Sequence, residues 1–427
     1  MMKAQAMKTS TTTRSLALLA LLSALGCEAS DAAETTSDET GRDDGAATDE
    51  GALDEPAAVL PASTADELAD VTPAGTVEGF ETAAAFTSRP VDGFASLAGK
   101  GIATTTGGGN ATATKVANCA QLKSALADSA ARVIELPAGG TIDCRTSPRS
   151  QVACIIPCDK NDPGKNSYRI AVPGQTCKDL GSNRQTTRTR NETSLTVKSN
   201  KTVRGQNAKI LGAVLNLKGS SNVILQNFAL EEINPALIEG GDGVTLENSH
   251  HIWIDHVRFR NISDGHVDMK NSTHVTLSWN HFNGLNEAVC GRQHHYTMLV
   301  ENTQATLHHN FFDRPSGRNP KLDGASTQAH LYNNHYRNIT YFAIGTNSGA
   351  QARVEGNYFE NSAKPHWNQG GKIDAPAGSN VYTGRSADAK EPKDSNAQVL
   401  RTKPYPYTLD KAQNVPSVVD KQAGPQP

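Results

Sequence analysis

The sequence predicts an all-β chain wound as a parallel β-helix, and two observations carry that prediction. The first is a repeat. The segments VILQNFAL from Val223, IWIDHVRF from Ile252, VTLSWNHF from Val275, ATLHHNFF from Ala305, AHLYNNHY from Ala329 and ARVEGNYF from Ala352 share one frame. Their starts lie 29, 23, 30, 24 and 23 residues apart. Periods of this length mark stacked repeats, and short β-type runs without helical periodicity favour a parallel β-helix over helical repeats. A propeller needs four strands in a period of about 40 residues or more, which is too long. The second observation is a pair of columns. The eighth positions read Leu230, Phe259, Phe282, Phe312, Tyr336 and Phe359, a stack suited to fill an interior. The sixth read Asn280, Asn310, Asn334 and Asn357, whose amides can bond from coil to coil.

The elements follow in order. Residues 1–27 carry Lys3, Lys8 and Arg14, then the apolar run SLALLALLSALG before Cys27, which reads as an export signal too short to span a membrane. ALGC resembles a bacterial lipobox, so Cys27 is expected to carry a lipid that tethers a cell-surface or outer-membrane protein. Residues 28–80 hold 15 Asp or Glu and one basic residue, Arg42, and no aromatic before Phe80. Like charge and low hydrophobicity leave such a segment disordered. The folded part is then 81–427, with a net charge of +8 from 37 basic and 29 acidic residues. That balance suits a polyanionic partner, and nothing in the chain points to nucleic acid.

AQLKSALADSAA from Ala120 reads as a helix capping one end of the coil, because terminal units of a solenoid must be covered. RVIELPAGGTID reads as the first strand and its turn, coils run on from Lys201, and the polar tail from about 380 packs outside. Six cysteines remain beyond Cys27: Cys119, Cys144, Cys154, Cys158, Cys177 and Cys290. In an exported chain they are expected to form disulfides, with 15 pairings open.

The candidate chemistry lies between residues 242 and 268. Asp242 and Asp264 are 22 residues apart, close to one coil, and Asp268 follows. Carboxylates stacked about 4.8 Å apart repel unless a cation lies between them, and Ca2+ accepts six to eight oxygens. His294 and His295 read as a polar turn, and His308 and His309 as structural, one facing in and one out. Asp255 and His256 read as a side-chain network on another face.

IWIDH, DGHVD, VTLSWNHF, ATLHHNFF, RNP (318–320) and HLYNNHY together resemble the pectate lyases of polysaccharide lyase family 1, over roughly residues 90–425. The resemblance implies a right-handed parallel β-helix, in monomeric form, that cleaves α-1,4-polygalacturonate by β-elimination with calcium. Asp242, Asp264 and Asp268 match the calcium ligands of that family, and Arg318 matches the arginine that removes the C5 proton. An arginine is a demanding base. With a reference pKa near 12.5, about one guanidine in ten thousand is neutral near pH 8.5. A cation about 4 Å away recovers up to ~4 kcal/mol of that cost at an effective dielectric of 20. The family supplies a lysine and a second arginine for this purpose, but here those positions are Asn286 and Asp323. Lys321, Arg314 and Arg292 are the nearby replacements. Two alternatives stand beside this reading: a non-catalytic polyuronate-binding protein on the same fold, and a lyase of methyl-esterified pectin.

Overall fold

The computed structural model describes residues 88–160, 162–389 and 395–427. The expected signal, Cys27 and the acidic tether lie outside the described residues. Among the described residues no helix is long and apolar enough to cross a membrane.

Alternating apolar residues dictate the architecture. In Val244–Glu247, Val267–Lys270 and Met298–Glu301, every second side chain is buried and its neighbour half-exposed. Such a period-two pattern lays one face on a core and leaves the other to solvent. Each coil contributes three strands. Two join a sheet of 18 strands, and the third joins a separate parallel sheet of eight. The eight run in order Thr193–Thr196, Ala213–Asn216, Val244–Glu247, Val267–Lys270, Met298–Glu301, Lys321–Asp323, Ile344–Asn347 and His366–Gln369. The result is the expected parallel β-helix, with the right-handed winding that parallel crossovers adopt.

Both columns form as expected. Leu230, Phe259, Phe282, Phe312, Tyr336 and Phe359 pair in register and are fully buried. Ring centroids along Phe282, Phe312, Tyr336 and Phe359 are 4.7 to 4.8 Å apart. Asn280 Nδ2 donates to Asn310 Oδ1, Asn310 to Asn334 and Asn334 to Asn357, each at 3.0 Å. One rung more, Asn380, accepts from Asn357 at 3.1 Å. The Tyr336 hydroxyl is a fault in the stack: it is buried and finds no hydrogen-bond partner. Tyr336→Phe removes that desolvated group and leaves the ring, so it should stabilise the fold by about 1 kcal/mol. The denaturant midpoint checks this, and an unchanged or lower midpoint would mean the hydroxyl is satisfied.

The helix spans Cys119–Ala127, with Asn118 accepting from the Gln121 N–H as its N-cap. It places Leu122 and Leu126 over the open end of the core. One correction concerns the first strand: Ala113–Lys115 precedes Arg132–Glu135 and pairs with it. The three disulfides are Cys119–Cys144, Cys154–Cys177 and Cys158–Cys290. The last two staple an insertion, an antiparallel sheet of Arg149–Pro157, Asn166–Arg169 and Gln185–Arg190. The C-terminal tail packs outside as expected, burying Val415 and Val419 against Phe311.

His308 and His309 correct a detail. Both face outward, bonded to each other through Nδ1 atoms 2.8 Å apart, and reach Asp92 and Asp410 of the terminal segments. The reason is a left-handed backbone at His309 (φ 52°), which breaks strand alternation at that corner. Asp255 and His256 form the expected network, with Ser278 and Gln226 donating to Asp255.

Candidate active site

The solvent face of the eight-stranded sheet forms a groove floor. Strand register puts one outward residue from each coil in line: Thr196, Asn216, Thr245, Asp268, Leu299, Lys321, Gly345 and Trp367. At about 4.8 Å per rung this line is on the order of 30 Å long. Lys321 lies on it, two rungs from Asp268. Lys321 also engages Asp323 at 3.6 Å, so that carboxylate is directed at the lysine.

Arg318 enters the groove from the turn before Lys321, with left-handed backbone (φ 57°) and its guanidinium 4.3 Å from the Tyr296 ring centroid. A second guanidinium faces the same ring at 5.8 Å, that of Arg169. Arg169 comes from the stapled insertion, whose backbone is tied to the coil by Ile238 N–H to Tyr168 O (2.8 Å) and Ile170 N–H to Ile238 O (3.0 Å). Its Nη2 reaches Glu239 Oε1 at 3.1 Å. Burial first, then the charge and hydrogen bond of Asp264, push Glu239 up to about 8, while Arg169 and Arg318 oppose the rise. Glu239 and Asp264 therefore form one acidic pair across neighbouring coils. Burial works against the charge of Arg169, but Tyr296, Glu239 and Asp264 outweigh it and hold the guanidinium ionised. Beneath the site, burial lowers His294 and His295 to about 4, so both are neutral. His294 stacks on His266 at 4.1 Å, a core contact in place of the expected polar turn.

The three aspartates each have a partner in the structure. The strand register here is 23 residues, with Val244 opposite Val267 and Thr245 opposite Asp268. Asp242 and Asp264 precede these strands, where the Asp264 N–H bonds Gly241 O at 3.2 Å. Asp242 Oδ2 accepts from the Thr245 hydroxyl (3.2 Å), Asp268 Oδ1 accepts from the Leu299 N–H (3.0 Å), and Asp264 pairs with Glu239. Among the described residues no three His, Cys, Asp or Glu side chains converge to hold a metal ion.

The other candidates are placed at the margins. Arg292 is exposed and pairs with Glu287. Arg314, also exposed, pairs with Asp313 at 3.2 Å, at the corner after Phe311–Asp313. Asn286 bonds Pro235 O at 2.9 Å and so fastens a loop. Arg169, Glu239 and Tyr296 are the residues that sequence reasoning missed. Only the insertion's cysteines signalled that this segment is held against the coil.

Fold and groove define a class: a parallel β-helix with one sheet face long enough for a polymer lying along the coil axis. The chain belongs to the pectate lyase family, whose sequence profile matches residues 174–426. It is similar to pectin lyase B of Emericella nidulans, at 34% identity over 57% of this chain and 66% of that protein. Probable pectin lyase D of the same organism is 36% identical over 40% of this chain and 48% of its own length. The matches thus span less than two thirds of these relatives. The fold resembles a Bacillus sp. N165 pectate lyase solved with trigalacturonate, with a TM-score of 0.53 and 22% identity over 79% of this chain and 99% of that one.

Proposed function

We propose that the protein is a lyase that cleaves the α-1,4-linked galacturonan backbone of pectin by β-elimination, with Arg318 as the base. One observation carries this reading: two guanidiniums, from Arg318 and Arg169, flank a single ring in the groove. The neutral Arg318 guanidine takes the proton from C5. The electron pair forms the C4–C5 double bond, the C4–O bond breaks, and the departing glycosidic oxygen takes up a proton. Negative charge builds on the C6 carboxyl as C5–H breaks, and Arg169 is a fixed cation near that charge. The same cation favours a neutral neighbour. At 4 to 10 Å and an effective dielectric of 20, like charges cost each other about 2–4 kcal/mol.

The substrate unit at the cleavage point is a methyl ester. A free uronate beside Asp242, Asp264 and Asp268 would add like charge that Arg169, Arg318 and Lys321 offset only in part, whereas an ester adds none. The names of the relatives, pectin lyases, agree with this. The second reading is calcium-dependent cleavage of polygalacturonate. It is favoured by the three aspartates standing at or near the starts of two adjacent strands, and it requires Asp264 to leave Glu239. A binding protein without activity is the third. Unsaturated product is measured on highly esterified pectin and on polygalacturonate, with and without excess chelator. Chelator-resistant product, faster on the ester, is expected. Product only on polygalacturonate and only with calcium would establish the second reading, and tight binding without product the third.

A further inference from the structure

The Tyr296 ring is faced by both guanidiniums of the groove, yet its hydroxyl engages no hydrogen bond among the described residues. The residue is half-buried, and its hydroxyl is not sealed away from solvent as that of Tyr336 is. A parallel bridge pairs Tyr296 with Gly317, and the pairing of Val267 with Met298, carried two residues back, sets Gly265 on its other side. Two glycines thus flank it, and no Cβ of a paired residue crowds the ring. Burial is the largest influence on the phenol and pushes it up; Arg169 and Arg318 pull it down, while Glu239 and Asp264 reinforce the rise. The hydroxyl therefore keeps its proton and stands ready to donate it in a hydrogen bond. Arg169 is placed differently. It holds Nη2 on Glu239 at 3.1 Å, and its Nε is sealed away without a partner, so what it chiefly offers the groove is charge.

We infer that the Tyr296 hydroxyl is a further catalytic group, donating a hydrogen bond to the C6 carbonyl oxygen of the sugar whose C5 proton Arg318 removes. The inference rests on the lyase reading of the groove and deepens it. As C5–H breaks, its proton passes to Arg318 and its electron pair moves into the C6 carbonyl, whose oxygen becomes an enolate. When the pair returns, the C4–C5 double bond forms and the C4–O bond breaks. Tyr296 keeps its own proton throughout and leaves the step unchanged. A donor fixed in place beforehand bonds more strongly as charge builds on its acceptor, and it needs no rearrangement at that moment. An ester carbonyl has no net charge before the reaction, so the whole of this gain falls on the transition state. Arg169 supplies the charge, and Tyr296 the directed bond.

The test is Tyr296→Phe in the full chain, with unsaturated product measured on hexagalacturonan fully esterified with methanol and on the same oligomer esterified with trifluoroethanol. Phenylalanine keeps the ring that the guanidiniums face, so the fold and the placement of Arg318 should survive. On the methyl ester kcat should fall about 10²-fold, with KM changed less than about threefold. The trifluoroethyl ester has an electron-poor carbonyl that already stabilises the enolate, so there the loss should shrink to about tenfold. A tyrosine that merely supports the arginines would show the same loss on both esters. A loss below about fivefold on the methyl ester, or equal losses on the two, overturns the inference and leaves the lyase reading standing. A wild type that forms no unsaturated product from either ester refutes the lyase reading itself, and the inference with it.

Discussion

Arg318→Ala is expected to lower kcat for unsaturated product by about 10³-fold or more, the scale of a lost general base. The side chain is half-buried beside Tyr296 and contributes little to the core, so thermal stability should stay within about 0.5 kcal/mol of wild type. KM should change far less than kcat, because the proton is transferred only in the transition state. Arg318→Lys keeps the charge but loses the planar fork that stacks on the ring. It should recover less than a tenth of the activity. If Arg318→Ala retains most of its kcat, another group removes the proton.

Arg169→Ala should cost about 10²-fold in kcat/KM. Removing one cation from beside the reacting carboxyl forfeits about 2–4 kcal/mol at most, and the Glu239–Asp264 pair screens part of that. Glu239 loses its ion-pair partner and is pushed further up, towards the neutral acid. Arg169→Lys should restore part of the loss, which a merely structural arginine would not. Both guanidiniums face the Tyr296 ring, so their effects should couple in a double-mutant cycle. The staple matters for the same reason. Cys158–Cys290 joins the insertion to the loop that carries His294, His295 and Tyr296, across 132 residues of chain. Cys158→Ser with Cys290→Ser should lower kcat/KM about tenfold at a temperature where the coil remains folded, and circular dichroism separates this from unfolding.

The coil was legible in the sequence because a parallel β-helix repeats its chemistry locally. Phe259, Phe282 and Phe312 recur at one frame position, and so do Asn280, Asn310 and Asn334, so each rung announces the next. Arg318 was singled out through its motif, and the structure places it beside Tyr296. The rest was not, for physical reasons. Arg169 belongs to an antiparallel insertion outside the repeat, and a disulfide and two backbone hydrogen bonds bring it to Arg318. No spacing rule in the chain encodes that approach. The count of 22 between Asp242 and Asp264 places them in neighbouring turns, just before strands whose own register is 23. Glu239, in the turn before the strand, lies beside Asp264, and no spacing in the sequence announced it. Lys321 was placed on the groove floor, while Arg292 and Arg314 turned to Glu287 and Asp313.

The most direct measurement is the structure, by nuclear magnetic resonance, of the new non-reducing end formed from methyl-esterified galacturonan in excess chelator. A C4–C5 double bond from wild type, and its disappearance with Arg318→Ala, is the predicted result. A saturated end bearing a C4 hydroxyl, or an unsaturated end formed undiminished by Arg318→Ala, would contradict it.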